Sequence, residues 1–322
     1  MLTCYMKKVA LRKIVKKCKQ RMKSCYFKRY CPILALFILL TIVVLNLPSH
    51  PKSTSGSVPN VVHFVLLKEA NETDIDFIST TCILAAFFNQ EPEKIVLHTN
   101  VATIKGKYFQ LVQNLLETSL EVRKVQRPTH VFGYPLSSDY HASDLIRIKT
   151  LIVEGGIFLD LDTFLVQNVN RFFDYDCTLG WPEKQNIGTQ IIIAKPGAKF
   201  LRLWLQSYKD YRASMWYYNA GEAPTKVILN KNPALVHRVP DLFGVQGLAK
   251  ELYEDVEFDW QKFFAIHLLA RHRNYLVNDE LTEEFNEENI QTYTKSFGEL
   301  ARSIWNHSKV EKWIHSNVVS VN

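Results

Sequence analysis

The 322-residue sequence is short of most features that would take it out of the globular class. Its 12 glycines and 12 prolines form no periodic run, which excludes fibrous and disordered architectures. There is no internal repeat, and only one uncharged apolar stretch is long enough to consider as a membrane span, so a polytopic chain is excluded. Acids are missing altogether from residues 1–30, while that segment carries eleven Lys and Arg, from Lys7-Lys8 to Lys28-Arg29. The formal net charge of +7 therefore belongs to a tail. The remainder holds 28 bases against 32 acids, which leaves no charge-based case for nucleic acid as a partner.

The basic tail, 1–31, runs into Pro32-Ile33-Leu34-Ala35-Leu36-Phe37-Ile38-Leu39-Leu40-Thr41-Ile42-Val43-Val44-Leu45 and closes at Asn46-Leu47-Pro48. An apolar stretch of this length reaches the lower limit for a spanning helix, about 17 residues, and suits a thin bilayer. Excess Lys and Arg before it predict a cytosolic N-terminus. We therefore expect a single-pass type II signal-anchor over 32–47, a polar stem over 48–58, and a lumenal domain over 59–322 in the Golgi membrane. Cysteine is scarce. Of six, Cys4, Cys18, Cys25 and Cys31 fall on the reducing or membrane side of that span. Only Cys82 and Cys177 have access to a disulfide-permissive compartment, and spacing leaves their pairing open. The sequons at Asn71 and Asn306 are compatible with lumenal glycosylation.

From Pro59 onward, β-branched runs alternate with segments of helical period. Strands are expected at 61–67, 94–98 and 120–125, and helices at 74–89 and 104–117, which implies a parallel sheet covered on both faces. A helix over 138–154 places Leu145, Ile148, Leu151 and Ile152 on one apolar face. His141, Asp144 and Arg147 recur along another. Gly155-Gly156 ends it, since Gly tolerates the left-handed backbone of a helix C-terminus. The strand Ile157-Phe158-Leu159 then delivers Asp160 and Asp162, which strict alternation would aim to one side. Further strands are expected at 178–181 and 190–194, a helix at 197–211, a loop with a short helix at 214–232, and amphipathic helices on the rim beyond Asp279. His63, in an apolar strand, reads as a hydrogen-bonded core residue, and Trp204, Tyr208 and Tyr211 read as core.

Two acids one residue apart at a strand end repel each other unless a cation lies beside them. Hard carboxylate oxygens suit Mn²⁺ or Mg²⁺, either of which holds a pyrophosphate and neutralises charge on a leaving group. The string His141-Ala142-Ser143-Asp144-Leu145-Ile146-Arg147 followed by Gly155-Gly156-Ile157-Phe158-Leu159-Asp160-Leu161-Asp162 resembles the sugar-binding region of the DXD glycosyltransferases of family 32. That group includes α-1,4-galactosyl- and N-acetylglucosaminyltransferases and the initiating α-1,6-mannosyltransferase. More loosely, 59–63 and 266–271 resemble the family's first strand and its C-terminal His element.

This resemblance implies an α/β, Rossmann-like GT-A domain behind one transmembrane helix. It implies a nucleotide-sugar donor, UDP-sugar first among the choices, a glycan acceptor, and retention of configuration. Asp162 would bind the metal, Asp160 the metal or its water together with the donor ribose, and Asp144 and Arg147 the donor's hydroxyls or phosphate. His267 is the candidate for a further metal or pyrophosphate ligand, in competition with His272. Asn186 and Gly188, in the loop Gln185–Thr189, are candidates for the acceptor side, although that loop reads equally as a plain turn.

Two other functions were open. A haloacid-dehalogenase-type phosphatase also carries an acid-x-acid motif at a strand end, but it expects Thr two positions after the second acid, where Phe164 stands. A non-catalytic lumenal carbohydrate-binding protein would not need both acids together with Asp144 and Arg147.

Overall fold

The computed structural model describes residues 56–318 apart from Gln246, Glu280 and Thr282. The expected tail, the expected span and the stem as far as residue 55 lie outside the described residues. Among the described residues no helix is long and apolar enough to cross a membrane.

The centre is a seven-stranded sheet. Its strands are β1 (Val61–Leu66), β2 (Lys94–Thr99), β3 (Leu120–Lys124), β4 (Gly156–Leu159), β6 (Cys177–Gly180), β7 (Ile191–Ala194) and β8 (His237–Val239), in the order β8-β6-β7-β4-β1-β2-β3. Only β7 runs against its neighbours; β1, β2, β3 and β4 are parallel, as are β6 and β8. The order reverses after β1, with β2 and β3 on one side and β4 on the other. The carboxyl ends of β1 and β4 therefore flank the crevice where open α/β sheets bind ligands. A separate antiparallel pair joins β5 (Thr163–Leu165) to β9 (Ala265–His267).

Alternation along the strands divides the core into two layers. Val62, Phe64, Ile157, Leu159, Ile191 and Ile193 join a large cluster with α1 (Phe77–Gln90) and α2 (Lys107–Leu116). Phe158, Leu179, Ile192 and Ala194 join the other, with Leu145, Ile148 and Leu151 of α3 (Asp139–Val153) and with α4 (Lys199–Ser207). Both first-turn caps follow from sequence: Asp76 accepts from Ser79 N at 2.6 Å, and Ser138 from His141 N at 3.2 Å.

Two expectations change, and the open question of Cys82 and Cys177 closes. The helices α5 (Ser296–Trp305) and α6 (Ser308–Val318) do more than cover a rim. Phe297, Leu300 and Trp305 are buried in the larger core, Trp305 stacks on Phe77 at 4.5 Å, and its indole N–H donates to Thr81 Oγ1 at 2.8 Å. Burial of each such side chain contributes about 2–3 kcal/mol. The 214–232 region winds as π-helical turns at Tyr218–Glu222 and Pro224–Leu229. Cys82 and Cys177 are both free and buried, one in each core layer, so the sheet separates them and no bridge forms. Asn71 and Asn306 are exposed, as their sequons require.

Candidate active site

The site grows from the α3–β4 connection. Gly155 and Gly156 have φ of +69° and +108°, and a Cβ on Gly156 would lie 2.6 Å from the Val61 carbonyl oxygen. Only glycine lets α3 fold back this closely against β1. The buried His63 side chain locks the turn. Its Nε2 lies 3.1 Å from the Gly155 carbonyl, which can only accept, so Nδ1 accepts in turn from His98 Nε2 at 3.1 Å. Burial first, with the His98 pair facing Arg123, holds both imidazoles down to about 4. His63 is thus a core residue, as expected.

With that turn fixed, α3 and the end of β4 face one another. Arg147 Nη2 lies 3.3 Å from Asp144 Oδ1 and 3.0 Å from Asp160 Oδ1, while Nη1 donates to the Thr189 carbonyl at 2.9 Å. Its guanidinium also sits over the Phe158 ring, 4.4 Å from the centroid. Asp144 and Arg147 are therefore no surface i,i+3 pair: both are buried, and Arg147 bridges two elements. Its Nε is buried without a hydrogen-bond partner.

The acids are not placed by strand alternation. β4 stops at Leu159, and Asp160–Thr163 forms a tight turn closed by Thr163 N donating to the Asp160 carbonyl at 2.9 Å. Asp160 N is held by the Gln190 carbonyl at 3.0 Å. The chain then enters β5, whose partner β9 comes from a hundred residues downstream, with Thr163 opposite His267. Leu268 N donates to the Asp162 carbonyl at 2.8 Å, and His267 Nε2 sits 3.3 Å from Asp162 Oδ1. One oxygen or nitrogen of each of Asp160, Asp162 and His267 lies within 4.8 Å of the others. His272 is not part of this group; it sits on the following turn and bonds to Tyr275.

The electrostatics separate the acids. Burial and the adjacent Asp162 charge raise Asp160, against the pull of Arg147, His267 and Arg271. Burial also pushes Asp162 upward, but the His267 bond and the nearby His267 and Arg271 charges outweigh it and hold it below the usual carboxylate range. His267 is raised, because the Asp162 carboxylate overcomes the effect of burial. Burial raises Asp144, with Arg147 opposing. Two carboxylates and an imidazole converging in this way form a donor set that fits Mn²⁺ or Mg²⁺. A separate cleft of about 420 Å³ is lined by Arg171, Tyr175, His237 and neighbours, and it contains none of these groups.

Asn186 is half-buried, and Gly188 is buried against Val245, its N–H donating to the Gly180 carbonyl at 2.8 Å. Their loop reaches the site through Thr189, the acceptor for Arg147. Trp204, Tyr208 and Tyr211 are core residues as expected, yet Tyr208 approaches Asp144 at 3.5 Å and Tyr211 bonds to His141 at 2.6 Å. Sequence reading missed Arg271, Tyr140, Trp216 and Tyr217 at the crevice. Tyr140 alone carried a signal, being one turn before Asp144 on the same helical face.

Residues 62–179 match a family model described as the glycosyltransferase sugar-binding region containing the DXD motif. The matched segment runs from β1 through the acid pair to β6. The chain is similar to glucan organizing enzyme 1 of Cryptococcus neoformans var. grubii, at 26% identity over 203 residues, covering 56% of this chain and 54% of that protein. It thus spans about half the length of that relative. Similar solved structures include the apo glycosyltransferase GlyE of Streptococcus pneumoniae, with 9% identity, 81% of this chain, 64% of that chain and a TM-score of 0.45. The galactosyltransferase LgtC with donor and acceptor sugar analogs matches at 13% identity, over 79% and 99% of the two chains, with a TM-score of 0.40.

Proposed function

We propose that this chain is a metal-dependent, retaining glycosyltransferase of GT-A fold. It would move a hexose or N-acetylhexosamine from a nucleoside-diphosphate sugar, UDP-sugar first, to a glycan acceptor on a glycolipid or glycoprotein. The observation that carries this reading is the convergence of Asp160, Asp162 and His267 beside the buried Arg147. These three residues would hold Mn²⁺ or Mg²⁺, which when bound neutralises charge on the departing diphosphate.

The chain's own groups do the rest. Arg147 is held rigid by Asp144, Asp160 and the Thr189 carbonyl, so its charge is pre-set beside the donor without reorganising. Asp144 accepts from the donor's sugar hydroxyls. Asp160 is committed to Arg147, and no other carboxylate of the cluster is free to serve as a covalent nucleophile. The acceptor oxygen therefore attacks the anomeric carbon on the face the diphosphate leaves. The new C–O bond forms as the old one breaks, and the acceptor proton passes to the departing phosphate oxygen. Rate enhancement rests on positioning and charge stabilisation.

The basic tail and the apolar 32–47 stretch support a further proposal, that the domain is held on the lumenal face of the Golgi membrane. Asn186 and Gly188 remain the proposed acceptor-side loop.

The test is a screen of the full chain against UDP- and GDP-sugars with and without Mn²⁺, scoring nucleoside-diphosphate release and glycan extension. Metal-stimulated transfer is expected. Saturable glycan binding with no turnover would leave the carbohydrate-binding alternative standing. Metal-independent release of phosphate from a phosphomonoester would favour the phosphatase, although Thr163 is already fully buried and unable to reach a phosphate.

A further inference from the structure

Aromatic side chains are exposed beside the acid pair, joined to it through Arg271, whose charge acts on both acids. Tyr140, Asp144 and Arg147 are spaced i, i+4, i+7 on α3, so the Tyr140 ring continues the donor-facing stripe outward by one turn. Tyr140 is 44% exposed, Trp216 58% and Tyr217 38%. The Tyr140 and Trp216 rings meet edge-on, with centroids 4.5 Å apart, and the indole stays largely exposed.

Exposed aromatics on a loose loop would carry little meaning, but this loop is fastened. His141, buried, donates from Nε2 to the Trp216 carbonyl at 3.0 Å, and its Nδ1 accepts from Tyr211 Oη at 2.6 Å. Tyr217 Oη donates to the Ile187 carbonyl, tying the same loop to the one that carries Asn186. Tyr217 is also near enough to Asp144 that this charge, after burial, helps push its hydroxyl up to about 12. From the other side Arg271 donates to Tyr140 Oη and lies over its ring at 4.9 Å, four residues after His267. The aromatic pair is thus joined to the donor helix, to the 185–189 loop and to the segment that supplies the third cluster ligand.

We propose that Trp216, set by Tyr140 and Arg271, is the stacking platform for a pyranose ring of the acceptor glycan. The inference rests on the glycosyltransferase reading above. A donor must be enclosed, because water competes for its anomeric carbon, and the enclosed part of the site is the buried Asp144 and Arg147 pair beside the half-buried Asp160. An acceptor glycan extends out of the site and meets the rim. An exposed indole there offers the apolar C–H face of a pyranose a large rigid surface, while Arg271 offers donors to the ring's hydroxyls.

The experiment measures both KM values in the full chain for wild type, Trp216→Ala and Trp216→Phe. The acceptor probes are methyl glycosides of glucose, galactose, mannose and N-acetylglucosamine and their disaccharides. Trp216→Ala is expected to raise the acceptor KM roughly tenfold while the donor KM moves less than about twofold. Trp216→Phe, which keeps an aromatic face, is expected to recover most of the loss, a pattern that general loop damage would not produce. A rise in donor KM with an unchanged acceptor KM would overturn the proposal in favour of a nucleobase platform, and no change in either would overturn it outright. If wild type turns over no nucleotide sugar, the glycosyltransferase reading fails on its own. Calorimetric binding of the same glycosides then decides the platform: binding lost in Trp216→Ala upholds it, and binding that persists overturns it.

Discussion

The 22 residues from His141 to Asp162 and the segments at 211–225 and 265–272 adjoin one another at the site, and they are held there by different means. The first is contiguous: a capped helix, a two-glycine reversal, a four-residue strand and a tight turn hold four charged groups in place through short-range geometry. The second is assembled from residues far apart in the chain, through the β5–β9 pairing and the His141–Trp216 and Arg271–Tyr140 contacts. The difference teaches that the groups assigned to the donor's chemistry lie in one contiguous stretch of chain. The groups assigned to metal completion and acceptor choice depend on long-range packing.

Four measurements break or sharpen that contrast. Asp162→Asn strikes the contiguous part at its most polarised member and is expected to lower kcat on the order of 10³-fold in saturating Mn²⁺; full transfer by this variant would remove the metal role. Arg147→Ala leaves Asp144 and Asp160 without their shared cation. Breaking a buried pair in this way costs about 3 kcal/mol or more, read as a lower denaturant midpoint, and an unchanged midpoint would mean the contact does not hold the fold. His267→Ala strikes the imported part and is expected to weaken Mn²⁺ about 10- to 100-fold with little effect on folding, so raising Mn²⁺ should restore rate. A rate that ignores the Mn²⁺ concentration in both proteins would remove His267 from the ligand set.

The smallest effect concerns the turn that His63 locks. His63 and His98 are held near 4, against an ordinary 6.5. The unfolded chain therefore takes up protons first as pH falls, so stability present above about pH 6.5 is lost between there and pH 4. Unfolding midpoints across that window should drop in wild type and drop less in His98→Gln; parallel curves would show that the pair does not control the turn.

Much of the central architecture was readable in advance because it rests on local rules. The strand alternation, the helical period and the Gly155-Gly156 reversal place the central strands and the helix from Asp139 to Val153 close to expectation, while the helix expected over 197–211 ends at Ser207. The β5 strand, Thr163–Leu165, was not readable, because three residues carry no period. Asp160 and Asp162 do face one site, as expected, but a turn rather than strand alternation brings them there, because alternation describes extended chain. The helices near the C-terminus were expected at the rim, since an amphipathic pattern shows that one face is buried without showing how deeply. Cys82 and Cys177 illustrate the same limit, because compartment allows a bridge and only the sheet between them forbids it.

By itself, then, the sequence determined the acid pair, the helix that faces it and the reversal that joins them, because all lie within the reach of hydrogen bonds and backbone preferences over a few residues. Tertiary structure alone decided that His267 rather than His272 approaches Asp162, that Arg147 is a buried bridge rather than a surface partner, and that Trp216 stands on the rim. Each of these depends on bringing together chain segments tens to a hundred residues apart, and that proximity is set by the packing of the whole domain, to which no local pattern corresponds.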